Sequence, residues 1–129
     1  MIEPVWVEKE ALLLLHAKSL ARFGGLEGMR DDGLLDSALA RPRNAFLYDG
    51  QRDIAGLAAS YVFGLTKNHP FADGNKRIAF MAIGLFLGAN GWELLAEPVE
   101  AIRAMLALAG GEIGEEEFAA WLKLHIKRL

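Results

Sequence analysis

His69, Asp73, Asn75, Lys76 and Arg77 fall within one short stretch, Asn68-His69-Pro70-Phe71-Ala72-Asp73-Gly74-Asn75-Lys76-Arg77, set between two strongly apolar segments. An imidazole that titrates near neutrality is suited to act as general base for a hydroxyl nucleophile, which gives His69 that role. Asp73 is a hard oxygen ligand, and Mg²⁺ is commonly held by one or two carboxylates together with substrate phosphates. Gly74 lets a phosphate come close to the backbone. Asn75 can donate an amide hydrogen bond to a phosphate oxygen or cap a helix, and Lys76 and Arg77 add two cations. These groups suit phosphoryl or nucleotidyl transfer, a chemistry that rests mainly on positioning and charge stabilisation.

The stretch leads into the N-terminus of an apolar segment, Asn75 to Asn90, which reads as a central helix buried on most sides. Unpaired N–H groups and the helix dipole favour an anion at that end. Lys76 and Arg77 are unfavourable there on their own, and a bound polyphosphate would offset the cost. Pro70 restricts the backbone of His69, and Phe71 is expected to point inward and pin the loop. His69 and Asp73 also have the i, i+4 spacing of helical metal ligands, but Pro70 and Gly74 argue against a helix there and hence against zinc. Asp-Gly-Asn before a helix is equally the composition of an ordinary capped turn, so the residue types alone leave both readings open.

Other helices must hold this loop. Leu12, Leu13, His16, Leu20 and Phe23 form one stripe ended by Gly24-Gly25. Asp31 or Asp32 caps a short predicted helix through Leu35 and Leu39 that stops at Arg41-Pro42. Asp53 opens the next, with Ile54, Leu57, Ala58, Tyr61, Val62 and Leu65 on one face. Trp92 to Leu95 reads as a short extended piece. Pro98 starts a helix with Ile102, Met105, Leu106 and Ala109 on one side. Glu115 to Leu129 reads as the last helix, burying Phe118, Trp121, Leu122, Ile126 and Leu129, with acids at its start and Lys127-Arg128 at its end. The expectation is one all-α domain over residues 1–129, with about six helices.

Composition narrows the classes. A chain of 129 residues can bury a real core. The net charge of −3 gives no reason to expect direct nucleic-acid binding. Without cysteine, disulfides and thiolate chemistry are excluded. The longest uncharged apolar run, Ile78 to Ala89, is shorter than the roughly 20 residues of a membrane span. No secretory signal is visible at Met1, so a cytoplasmic protein without membrane contact is expected.

His69-Pro70-Phe71-x-Asp73-Gly74-Asn75-Lys76-Arg77 resembles the signature loop of the Fic/Doc superfamily, His-x-Phe-x-(Asp/Glu)-Gly-Asn-Gly-Arg-x-x-Arg. Lys76 replaces the second Gly and Phe80 the final Arg. The Lys form is that of the death-on-curing (Doc) toxins of toxin–antitoxin modules. Arg22-Phe23-Gly24-Gly25-Leu26-Glu27-Gly28-Met29, and Leu85-Phe86-Leu87 followed by Asn90-Gly91, extend the likeness from about Val7 to the C-terminal helix. The resemblance implies a compact helical fold and a kinase that transfers the γ-phosphate of ATP to a threonine of translation elongation factor Tu. By the same resemblance His69 is the base, Asp73 holds Mg²⁺, and Gly74, Asn75, Lys76 and Arg77 bind phosphates. Typical Fic enzymes instead transfer AMP, and Lys76 and Phe80 count against that alternative. No inhibitory (Ser/Thr)-x-x-x-Glu-(Gly/Asn) helix is found, because Phe23 stands where Ser or Thr belongs before Glu27-Gly28. Restraint is then expected from a Phd-like antitoxin. A catalytically silent antitoxin-binding module is a further alternative.

Among the remaining residues, His16 and His125 sit on apolar seams and are expected to be hydrogen-bonded structural histidines. Arg30 can add a cation to the rim. Lys67 and Asn68 can reach a phosphate or stay solvated. Arg41, Arg43 and Arg52, around Phe46 and Tyr48, read as an irregular surface region able to form a flap.

Overall fold

Six helices and a two-stranded ribbon make up the computed structural model, which describes residues 2–129. In chain order they are α1 (Lys9–Phe23), α2 (Asp32–Tyr48), α3 (Ile54–Asn68), α4 (Asn75–Ala89), β1 (Trp92–Leu94), α5 (Pro98–Ala109), α6 (Glu115–His125) and β2 (Ile126–Arg128). The all-α expectation holds, with the ribbon as its one addition. No helix among the described residues is long and apolar enough to cross a membrane.

α3 is the innermost element. Asp53 caps it by accepting from the Ala55 N–H. From Ile54 to Thr66 only Phe63 is not buried, because Ala55, Gly56, Ala58, Ala59, Ser60 and Gly64 are small enough for neighbours to close in on every side. α4 was expected in that role. It is instead one-sided: Ile78, Ala79, Ala82, Ile83, Phe86 and Leu87 face inward, while Lys76, Phe80, Gly84 and Gly88 form an exposed row one turn apart. Tyr61 and Phe86 meet at the centre with rings 5.2 Å apart, and Trp6 stacks on Phe86 from the N-terminal segment.

Four further expectations are corrected. α2 does not stop at Pro42 but runs through it to Tyr48. An interior proline costs about 3 kcal/mol. Burial of Phe46 beyond it recovers on the order of 1.5–3 kcal/mol, and Trp6 edge-on at 5.8 Å and the Arg52 guanidinium at 4.0 Å add to this. The supposed irregular flap is therefore helix as far as Tyr48, and only the short connection 49–53, which carries Gly50 and Arg52, is irregular. Arg41 is committed too, forked onto Glu115 at 2.6 Å and bonded to Ser60. α6 ends at His125, since β1 needs a partner for its backbone and finds it in Ile126–Arg128, with Trp92 opposite Arg128. Leu129 is consequently exposed. α5 buries Ala101, Met105 and Leu108 and leaves Ile102 and Leu106 half exposed, while Phe23 at the end of α1 is also exposed.

Candidate active site

The motif spans the C-terminus of α3 and the N-terminus of α4. His69 is the C-cap of α3, with its N–H on the Leu65 carbonyl and its backbone left-handed at φ 47°, ψ 58°. The extended conformation usual before proline is overridden, because the chain must turn sharply off the end of α3. Its imidazole is exposed. The contact from Asn75 Nδ2 to His69 Nδ1 is 3.4 Å, too long to fix the ring's tautomer.

Phe71 points inward as expected and is 2% exposed. Its ring stacks on His16, with centroids 3.7 Å apart. His16 is buried and hydrogen-bonded, as expected for a structural histidine, but the loop itself is its partner: its Nε2 lies 2.8 Å from the Asp73 carbonyl. α1 therefore grips the loop through one side chain on two neighbouring positions.

The Asp73 carboxylate sits between two backbone donors, with Oδ2 accepting from Leu26 N–H at 3.1 Å and Oδ1 from Gly74 N–H at 2.8 Å. These donors, with smaller help from Arg77 and His16, hold the carboxyl below its usual range, so it is ionised near neutrality. The close approach of the segment after α1 depends on Gly25, at φ 128°, where a Cβ would lie 2.9 Å from Asp73 Oδ2. Gly74 caps α4 at φ 77°, a left-handed conformation that favours glycine.

Asn75 faces inward. Its Oδ1 accepts from Phe71 N–H at 3.0 Å and its Nδ2 donates to the Phe71 carbonyl at 2.9 Å. Arg77 also turns away from the loop, toward Ser19 Oγ (3.3 Å) and the Gly24 carbonyl (3.4 Å). Lys76 is exposed and makes no ion pair among the described residues. No side chain caps the start of α4, and the N–H groups of Asn75, Lys76 and Arg77 have no protein acceptor among the described residues. The result is an open hollow of about 440 Å³, lined from His69 through Ala72 to Arg77. It has an imidazole at one end, a carboxylate beside it, and an uncapped helix N-terminus with a free ammonium at the other. Such an arrangement suits an anion beside an imidazole.

Among the described residues no three His, Asp or Glu cluster as a metal cage. One ionised, exposed carboxylate still fits a Mg²⁺ carried in mainly by phosphate oxygens. Lys67 and Asn68 are turned to structural partners, the Ala109 and Leu34 carbonyls. The type-based reading missed how far Arg30 reaches: its guanidinium lies 2.6 Å from the carbonyls of both Asn68 and His69. No local pattern signals a contact 39 positions away.

Comparison with known proteins agrees with this geometry. Residues 6–87, which include the whole motif, match the family model described as Fic/DOC family. The chain is 32% identical over 117 residues to the "Protein kinase doc" of Escherichia phage P1, covering 91% of this chain and 92% of that one. It is 42% identical over 85 residues to the "Toxin Doc" of Mycolicibacterium smegmatis, 65% of each chain. With the family model spanning more than half its length and a relative matched almost end to end, the chain belongs to the Fic/DOC family, in its Doc branch.

Proposed function

We propose that this protein is a Doc-type toxin kinase that moves the γ-phosphate of ATP to a protein hydroxyl. Within this reading His69 accepts the proton of the acceptor hydroxyl as its oxygen attacks the γ-phosphorus. The new P–O bond forms while the bond to ADP breaks in line. Asp73 would hold Mg²⁺, which when bound neutralises phosphate charge. The first N–H groups of α4 and the Lys76 ammonium stabilise the charge on the transferring group. Gly74 shapes that anion site. Asn75 contributes through its backbone N–H while its side chain braces the loop, and Arg77 supports the phosphates from the α1 side. The observation that carries the reading is the exposed His69 imidazole set across one hollow from an uncapped helix N-terminus with an unpaired lysine.

The family resemblance supplies the acceptor, a threonine of elongation factor Tu whose modification arrests translation in the cytoplasm, and the restraint, a Phd-like antitoxin. Beside the hollow, Phe80, Ile102 and Leu106 line an apolar groove of about 550 Å³ that shares Lys76 and Arg77 with the loop. An amphipathic segment with acidic residues suits it, and a partner seated there would cover the Lys76 ammonium.

The test supplies purified protein and Mg²⁺ to a bacterial extract with ATP labelled at either the γ- or the α-phosphate, beside His69→Ala. A γ-labelled band at the mass of elongation factor Tu, lost in the variant, is the expected outcome. An α-labelled band instead would make the protein an AMP transferase. No label from either would leave a silent binding module.

A further inference from the structure

We propose that Arg30 is the positioning residue that sets the direction of the His69 imidazole. The inference rests on the reading of His69 as the base. His69 is the only non-glycine residue with positive φ among the described residues. That conformation is sparsely populated by L-residues, and it persists only where the surroundings impose it.

Two peptide planes determine where the side chain of a residue points. The plane carrying the preceding carbonyl sets φ, and the plane carrying its own carbonyl sets ψ. Arg30 holds both for His69: Nη2 donates to the Asn68 carbonyl and Nε to the His69 carbonyl, each at 2.6 Å. The next carbonyl is held as well, by the backbone of the same segment. Arg30 N–H and Asp31 N–H both donate to Pro70 O, at 2.8 and 2.9 Å, and Ala72 N–H returns a bond to Gly28 O. Met29 and Phe71 form a one-pair antiparallel bridge through these contacts. Three consecutive carbonyls, from Asn68 to Pro70, are thus fastened to a segment that carries none of the groups of the hollow.

The chemistry explains why an arginine does this. The last carbonyls of α3 lack intrahelical donors and lie at the negative end of the helix dipole, where a cation is favoured. A planar guanidinium offers adjacent N–H groups in a rigid fork and can hold both carbonyls at once. An ammonium has three donors, but they rotate on a flexible stem and hold two planes far less rigidly.

The experiment compares Arg30→Met and Arg30→Lys with the unaltered chain. It uses protein carrying ¹³C-labelled histidine, with the His69 resonances assigned by their loss in His69→Ala. His125, remote from the loop, is the internal reference. Both variants are expected to shift the His69 Cα and Cβ signals away from left-handed values while the reference stays in place. Label transfer from ATP is expected to lose kcat on the order of 100-fold with KM for ATP unchanged. Lysine, despite its charge, should not restore it. Unmoved His69 signals in a folded variant, full activity in Arg30→Lys, or a loss expressed in KM alone would overturn the proposal. If His69→Ala keeps full activity, the reading of the base fails while the ¹³C comparison still decides what Arg30 holds. Should Arg30→Met not fold, Arg30→Lys, which keeps the aliphatic stem and charge, carries both measurements.

Discussion

The Asn75 carboxamide closes a ring with the backbone of Phe71, one oxygen accepting and one nitrogen donating, in a site only 7% exposed. Asn75→Asp keeps the shape but sets a carboxylate against the Phe71 carbonyl. A buried group left without its partner costs about 1–3 kcal/mol, so the free energy of unfolding should fall by that amount, seen as a lower urea midpoint with the slope of the transition unchanged. Sequence order was enough to bring His69, Asp73 and Lys76 to one hollow, because eight consecutive residues cannot spread far, while residue type left their role open between a site and a capped turn. It could not tell whether an amide at position 75 faces a ligand or the loop, since either orientation satisfies an asparagine. Nor could it foresee the left-handed turn at His69. Local preference before proline points elsewhere, and only contacts with distant residues reverse it.

At the scale of elements, α2 and α3 touch through Gly64, where an added Cβ would lie 3.2 Å from both Cα and Cβ of Ala38. Gly64→Ala gains about 1 kcal/mol of helix propensity. Overpacking costs about 1–3 kcal/mol, and here the atoms met include backbone, which cannot rotate away. Thermal unfolding of the Gly64→Ala protein should therefore show net destabilisation. Helix starts were legible, since Asp31, Asp53 and Pro98 announce them by type. The end of α2 was not, because Pro42 is an obstacle whose cost is met by tertiary packing of Phe46. The last three-residue strand was hidden for a similar reason: Ile126–Arg128 leaves the helical pattern only because β1 lies beside it with open hydrogen-bonding groups.

For the molecule as a whole, Tyr61 joins the core to the N-terminal segment. Its side chain is fully buried, and its hydroxyl accepts from the Val7 N–H at 3.0 Å. Burial pushes its pKa up to about 12 from an ordinary 10.0. The unfolded chain releases this proton first, so its contribution to stability is intact below pH 10.0 and is lost as pH rises toward about 12. Alkaline denaturation followed by circular dichroism should show that loss, and Tyr61→Phe should flatten it. The fold class was readable from periodicity over the whole chain. Which helix lies innermost was not, because Ala55, Gly56, Ala59, Ser60 and Gly64, outside the large apolar face of α3, suit solvent as well as enclosure, and enclosure depends on what packs around them.

The enclosure of α3 also decides where this scaffold has room to change. Ala55, Gly56, Ala58, Ala59, Ser60 and Gly64 are all buried, and at Gly64 an added Cβ would press on the backbone of α2, so larger residues on this helix meet packed neighbours. His69 hangs from the end of that helix, so on the proposed function the base is mounted on the most enclosed element of the protein. The other rim of the hollow is mounted on the opposite kind of material. The outward row of α4, beginning at Lys76 and Phe80, is exposed and bounded by solvent. On the proposed function, new preferences for a nucleotide, an acceptor or a restraining partner can accumulate on that rim one residue at a time while His69 keeps its seat. On that reading the same architecture makes the reaction hard to lose by drift and its targets easy to exchange.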